Sequence, residues 1–343
     1  MEIGNHLWEN VGRFKQEGLK LTTIAIIGGG IAARSLLYAM AKKNISSKIL
    51  VFYSDSFAFP CSLHSTAIVA PRGVTAGNSS LGDTLMEGFG RFQKHVSEDA
   101  PEGVERIPQY TGALTKLEAF QKRYPDGKKI SSIGPLKFQE EIYFTEEEAY
   151  LITPSQYLSW LTSEASRKLN VEFVPSFVTE VHEKTLKTVD GGDFSFDELI
   201  VTAGVKNFLW QPLLEADPKS KTVQGSYLEY DFDFGEKSFS LTLEGDNLIY
   251  SHPTKKLLIG STTQESSWEL PPERLLSEIH ARLRTRMKNI LPEFAQGKML
   301  VGLREKAQKR EPYLLKRDAY KIMGGLYKNG YTLGLSLAEK ILS

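Results

Sequence analysis

The chain has 343 residues, enough for two packed subdomains, and its 41% hydrophobic and 24% charged content is that of an ordinary globular protein. Lysine plus arginine and aspartate plus glutamate number 42 each, so no net field recruits nucleic acid or an anionic membrane surface. The single cysteine, Cys61, excludes a disulfide framework, and six scattered histidines give no zinc spacing, so no metal site is expected.

The first 20 residues carry charges throughout and lack the apolar stretch of a secretory signal, which points to a cytoplasmic protein. Leu7, Trp8, Val11 and Phe14 recur at helical spacing before Gly18, predicting a short amphipathic helix docked on the domain. No run approaches the ~20 apolar residues of a membrane span. Residues 22–27 then read as a strand, 31–43 as a helix and 48–53 as a second buried strand, a βαβ unit with parallel strands. From 60 to 90 the chain is rich in small residues and suits a loop that wraps a ligand, followed by a helix near 85–97. Short strands and helices are expected to alternate over 104–150. A helix follows with Thr153 as N-cap and Pro154 at its first position. An apolar strand at 197–204, a β-rich block at 223–263, a helix at 272–291 and a closing strand, glycine turn and helix complete the reading. The fold class is α/β, a Rossmann-type domain with a discontinuous β-rich second domain.

The chemistry-bearing motif is "GGGIAA". Gly28, Gly30 and Ala33 fit G-x-G-x-x-G/A between a strand and a helix, with Gly29 and Ala32 inside the turn. Gly28 permits the tight turn, Gly30 lets the backbone approach a pyrophosphate, and Ala33 lets helix and strand pack closely. The helix amides then face the anion. The acid expected at the end of the second strand is absent: Tyr53 and Ser54 stand there, with Asp55 two residues late. A ribose would be held by the Tyr53 hydroxyl, by Ser54, or by Asp55 reaching back.

From residue 22 to the C-terminus the sequence resembles the D-amino-acid oxidase family of FAD-dependent amine oxidoreductases, most of all its glycine oxidase branch. The flavin half of the enzyme that matures the wobble uridine of tRNA is also similar. The resemblance rests on the order of "IIGGGIAA", "CSLHSTAIV", "ITPSQYLSWL", "ELIVTAG", "VQGSYLEY", "LLIGSTTQ", "VGLREKAQKREPYL" and "GGLYKNGYTLGLSLAEKI". It implies an FAD site built by residues 21–84, 151–218 and 300–343 and a substrate domain from 85–150 and 219–299. Lys328, Asn329, Gly330 and Tyr331 would meet the isoalloxazine, Lys328 standing where glycine oxidase has an arginine. Arg304 and Tyr250 would hold the substrate carboxylate. Val178, Ala203 and Gly204 would lie beside the nucleotide, and the loop residues Ser62, His64, Ser65 and Thr66 would follow the pyrophosphate toward the flavin. In dimethylglycine-type relatives a histidine in this loop carries the flavin covalently, so His64 is of interest. The family's aspartate in "RPxTxDxxP" is replaced by Lys309, although Pro312 and Tyr313 keep the frame.

The activity implied is oxidation of the C–N bond of a small amino acid or N-substituted glycine by hydride transfer to flavin N5, with O2 or another acceptor taking the electrons. Its rivals are oxidation of a 2-hydroxy acid, oxidation of a glycine-like group on tRNA, and a non-catalytic flavin-binding subunit. The tRNA reading would need a basic cleft from Lys306, Lys309, Arg310, Lys316 and Arg317.

Overall fold

The computed structural model describes residues 22–54, 56, 59–71, 77–215, 218–269 and 272–343. The expected amphipathic helix around Leu7 to Phe14, and Asp55, lie outside the described residues. In chain order the first half runs β1 (Thr23–Ile27), α1 (Ile31–Lys42), β2 (Lys48–Phe52), β3 (Ile68–Val69), α2 (Ser80–Asp99), β4 (Val104–Ala113), α3 (Leu117–Arg123), β5 (Lys128–Ile133), β6 (Leu136–Ile152), α4 (Pro154–Ser166), β7 (Asn170–Val174) and β8 (Val178–His182). It continues with β9 (Thr185–Thr188), β10 (Asp193–Ser195), β11 (Glu198–Val201), β12 (Lys221–Asp231), β13 (Phe239–Leu243), β14 (Asp246–Ser251), β15 (Lys256–Gly260), β16 (Gln264–Glu265), α5 (Glu273–Arg286), β17 (Lys298–Lys306), β18 (Tyr313–Arg317), β19 (Tyr320–Gly324) and α6 (Gly330–Ile341).

The βαβ opening forms because buried β-branched runs flank a helix that is apolar on nearly every face. β1 pairs in parallel with β2 on one side and β11 on the other. The resulting sheet has the order β18-β19-β11-β1-β2-β7, with only the edge strand β18 antiparallel. Ile26, Leu36, Met40, Ile49, Ile200, Leu337 and Ile341 form one core between this sheet and helices α1 and α6. Small residues set the helix spacing: a Cβ on Gly334 would lie 2.6 Å from Ser35 Oγ, and one on Gly88 would meet Leu333 at 2.7 Å. The opposite face is covered by the sheet β10-β9-β8 through Leu186, Phe194 and Phe196.

A second sheet of ten strands has the order β16-β12-β15-β14-β13-β4-β6-β3, with β17 on the other edge of β12 and β5 on β6. One face packs against α5 through Leu241, Leu248, Tyr250, Leu257, Leu276 and Leu283. Where short alternating elements were expected, β6 is a 17-residue strand. Its acidic run is accommodated by alternation, with Ile142 and Phe144 buried while Glu141 is exposed. β3 and β17 also join this sheet, although the surrounding segments read as cofactor-binding. Helix α2 starts earlier than expected because Ser79 caps it, its hydroxyl accepting from Gly82 N at 3.0 Å. Thr153 does occupy the cap position of α4, yet its side chain makes no cap bond.

Helix α2 is tied to α1 by one carboxylate. Asp99 accepts from Tyr38 Oη (2.5 Å), from Lys42 Nζ and from the fully buried His95 Nδ1 (3.1 Å). Burial alone would raise the Asp99 pKa, but these three donors outweigh it and bring it to about 2. A carboxyl depressed in this way contributes stability above its unfolded value of roughly 3.9 and loses it as pH falls toward 2. Asp99→Ala should therefore lower the unfolding free energy by about 2–4 kcal/mol at pH 7 and flatten the acid limb of the stability curve. Urea titrations at pH 7 and pH 3 measure both effects, and an unchanged acid limb would show that other carboxyls dominate it.

Candidate active site

The turn after β1 leaves no room for side chains. Gly28 has φ +127°, and a Cβ there would lie 2.5 Å from the Thr202 carbonyl oxygen. On Gly29 a Cβ would sit 2.8 Å from that of Tyr53, and on Gly30 it would sit 2.8 Å from Ser62 Oγ. The same Ser62 hydroxyl accepts from Ile31 N at 3.0 Å, satisfying one first-turn amide of α1. Arg34 holds the turn from the helix side, with Nε on the Gly29 carbonyl (2.9 Å) and Nη1 on Leu158 O and Thr162 Oγ1. Ala33 is fully buried between helix and sheet.

A cavity of about 470 Å³ opens in front of this turn, within the usual range for a small-molecule site. Gly28, Gly29, Gly30 and Ala32 line it from the turn, and Tyr53 and Ser54 from the end of β2. Ser62, His64, Ser65 and Thr66 reach it from the small-residue loop, and Val178, Ala203 and Gly204 from β8 and the segment after β11. Arg304, Lys328, Gly330 and Tyr331 close the far side. Asn329 is not part of the wall; it precedes α6, and its amide donates to the Leu326 carbonyl at 2.8 Å. Tyr331 Oη donates to the Ser62 carbonyl (2.5 Å), tying α6 to the loop, and burial pushes its pKa well up so that it stays a neutral phenol. His64 Nδ1 lies 2.7 Å from the Val301 carbonyl, which places the proton on that nitrogen.

Tyr250, expected beside Arg304, does not reach the cavity. It is fully buried on the other face of β14, donating to Asp233 Oδ1 and the Gly235 carbonyl at 3.0 Å each. The cause is the two-residue alternation of a strand: Asn247 and Ile249 face the cavity, so Leu248 and Tyr250 face the core. Of the tyrosines on the ten-stranded sheet, Tyr227 on β12 lines the cavity. Sequence reasoning passed over it because several tyrosines sit in β-patterned runs and only the register separates them.

Arg304 lies on β17 opposite Val223 of β12, and its guanidinium covers Gly225 so closely that a Cβ there would be 1.8 Å from Nη2. Among the described residues no hydrogen bond or ion pair to its side chain is present. Burial disfavours its charge, and only Cys61 and Tyr327 act in the opposite sense. Its neighbour Glu305 points away from it. That carboxylate, 5% exposed, accepts from Asn207 Nδ2 (3.0 Å), Gly325 N (3.0 Å) and Tyr313 Oη. Burial raises its pKa in spite of these donors. Nothing in the sequence separated Glu305 from an ordinary surface acid, since its burial depends on β12 and the turn after β19.

Lys328 stands at the cavity mouth, with Nζ donating to Thr263 Oγ1 at 3.2 Å. Burial of much of the side chain, then the charges of Arg304, Arg310 and Lys306, bring its pKa down to about 8. The basic cleft that tRNA would need is largely spoken for: Lys306 pairs with Glu265, Arg317 with Glu215, and Lys316 Nζ binds the Lys340 carbonyl. Lys309 and Arg310 lie in a tight turn with positive φ. Among the described residues no group of His, Cys, Asp or Glu side chains could hold a metal ion, and no helix is long and apolar enough to cross a membrane.

Replacing Glu305 by Leu strands three donors in the interior. The expected cost is about 3 kcal/mol or more of unfolding free energy, with Glu305→Gln losing less. Equal denaturation midpoints for wild type and Glu305→Leu would mean that Asn207, Tyr313 and Gly325 find other acceptors.

The glycine cradle, the helix amides behind it and one cavity reaching from Gly28 to Gly330 fit an extended dinucleotide. Comparison with known proteins agrees. The fold is that of iminodiacetate oxidase from Chelativorans sp. BNC1 (15% identity, 93% of this chain and 94% of that one, TM-score 0.73). Glycine oxidase from Geobacillus kaustophilus (13%, 93% and 92%, 0.75) and L-proline dehydrogenase from P. horikoshii (13%, 94% and 92%, 0.75) share it. No curated protein sequence matches the chain. The profile of the DAO family, FAD dependent oxidoreductase, matches residues 23–342. With nearly the whole described chain matched and the cradle in place, the protein belongs to the DAO family of FAD-dependent oxidoreductases.

Proposed function

We propose that the protein oxidises the C–N bond of a small amino acid or N-substituted glycine. The observation that carries this reading is Arg304, a partly buried guanidinium facing the cavity with no partner of its own among the described residues. An unpaired buried cation is costly, and a carboxylate accepting two parallel hydrogen bonds offsets that cost. Gly225 leaves the space in which the guanidinium lies flat. Lys328 adds a second positive charge at the mouth, as a point charge without the planar fork of an arginine.

On this reading the amides of Gly28–Gly30 and α1, with Ser62, hold the pyrophosphate, and Tyr53 and Ser54 take over the ribose. Val178, Ala203 and Gly204 flank the nucleotide, while Lys328, Gly330 and Tyr331 meet the isoalloxazine. Bound FAD supplies the two-electron oxidation that the side chains cannot. What the chain supplies is position: Arg304 fixes the carboxylate, the sheet wall orients the α-carbon, and enclosure keeps water from the product imine. The six-stranded sheet carries the cofactor and the ten-stranded sheet the substrate. Three of the structural neighbours are named for compounds with both amine and carboxylate, iminodiacetate, glycine and L-proline, which supports such a substrate here.

The absorption spectrum tests this directly. Anaerobic addition of glycine, sarcosine or another N-substituted glycine should bleach the flavin band; a loaded protein that no amine reduces would sink the proposal. Arg304→Ala should raise KM on the order of 100-fold with FAD retained, and unchanged kinetics would place the carboxylate elsewhere. Lys328 is charged below about pH 8 and neutral above it, so the Kd of a carboxylate inhibitor should rise as pH passes that value. Lys328→Met should abolish the step; its persistence would assign it to another group.

A further inference from the structure

Farther along the same sheet from Arg304 the cavity wall carries polar side chains beside Ile249, where a wall for glycine alone would need none. Gln109 on β4, Ser240 on β13 and Asn247 on β14 all line the cavity from three adjacent strands. Gln109 and Ser240 are register partners, and Asn247 partners Thr242 two residues further along β13. Gln109 is 3% exposed and Ser240 2%, yet Gln109 Oε1 is enclosed without a hydrogen-bond partner. A buried amide oxygen left unpaired costs roughly 1–3 kcal/mol, so Gln109, whose side chain borders the cavity while its Oε1 is enclosed, gains by turning that acceptor toward a donor. Asn247 Oδ1 is already used, accepting from Thr242 Oγ1 at 2.6 Å, which leaves its Nδ2 as the donating end.

Strand spacing says what size of ligand this serves. Adjacent strands lie about 4.8 Å apart, so the β14 backbone is about 10 Å from that of β12, and the β4 backbone about 19 Å. A glycine whose carboxylate rests on Arg304 over β12 does not extend to Asn247, still less to Gln109. Charge says what kind. Among the described residues no cation lines the cavity from β4, β13 or β14. A second carboxylate is disfavoured there, whereas a neutral group that both donates and accepts matches the wall.

We infer that Gln109, Ser240 and Asn247 form a subsite for a neutral hydrogen-bonding group, a carboxamide or hydroxyl, at the far end of the substrate's N-substituent. This rests on the carboxylate-binding reading of Arg304. The subsite selects an extended N-substituted glycine over glycine itself and over a dicarboxylate.

The test uses the FAD-loaded protein and three N-substituted glycines of similar length, long enough to span the strands between Arg304 and the subsite: N-(6-carbamoylhexyl)glycine, N-(6-carboxyhexyl)glycine and N-octylglycine. Binding is read by titration calorimetry and turnover by anaerobic bleaching. The amide should bind at least about tenfold more tightly than either of the others. Gln109→Leu and Ser240→Ala should each reduce the amide-to-octyl affinity ratio severalfold, with melting temperature and FAD retention as in the wild type. No amide preference in binding, or a ratio untouched by both variants, overturns the subsite. So does loss of FAD from Gln109→Leu, which would turn this wall toward the cofactor. An amide preference in binding without bleaching by any of the three compounds would leave the subsite standing and refute the proposed oxidation instead.

Discussion

The absence of side chains at three consecutive positions is the constraint from which the rest of the site follows. Each glycine of the turn is pressed by a different part of the chain: Gly28 by Thr202 after β11, Gly29 by Tyr53 at the end of β2, Gly30 by Ser62 of the loop before β3. The turn therefore acts as the point where two strands and a distant loop are brought to van der Waals contact. Tyr331 continues the arrangement by bonding the same loop from α6, so both ends of the cavity are fixed to one short segment. A methyl group at any of the three glycines would push one of these elements outward.

The second constraint is the pleat of the ten-stranded sheet. Its α5 face is a dense apolar core, and its other face supplies Tyr227, Asn247, Ser240 and Gln109 to the cavity. One residue of shift would exchange these sets, burying amides and exposing leucines, so register here is set by burial. The same alternation separates Arg304 from Glu305. Adjacent in sequence and opposite in charge, they meet different groups: the Arg304 guanidinium lies over Gly225, while the Glu305 carboxylate, which also borders the cavity, is held by Asn207, Tyr313 and Gly325. Had they faced the same way they would have neutralised each other, and the cavity would lack its free guanidinium.

Much of the chain was legible from its sequence because the physics there is local. A β-branched run, three glycines and an apolar helix can form only a strand, a tight turn and a buried helix, and "GGGIAA" names the anion-binding geometry without help from the remaining residues. Arg304 and Lys328 were also identifiable, since a resemblance in motif order covers them, and both line the cavity. Tyr250 was misplaced because a motif match does not carry strand parity. The long β6 was read as shorter pieces because its charged residues disguise the alternation. Glu305, Gln109 and Asn247 carried no signal at all.

The sequence by itself determined the βαβ opening, the glycine turn and the family, each of which depends on residues within a few positions of one another or on the order of motifs. Tertiary structure alone decided which side chains share the cavity: it took Tyr250 away, brought Tyr227 in, left Arg304 without a partner among the described residues and set three neutral polar groups along one wall. The physical reason is that burial and pairing of these residues arise between strands far apart in sequence, through register and sheet order, and no local pattern encodes the face on which a given strand residue will land.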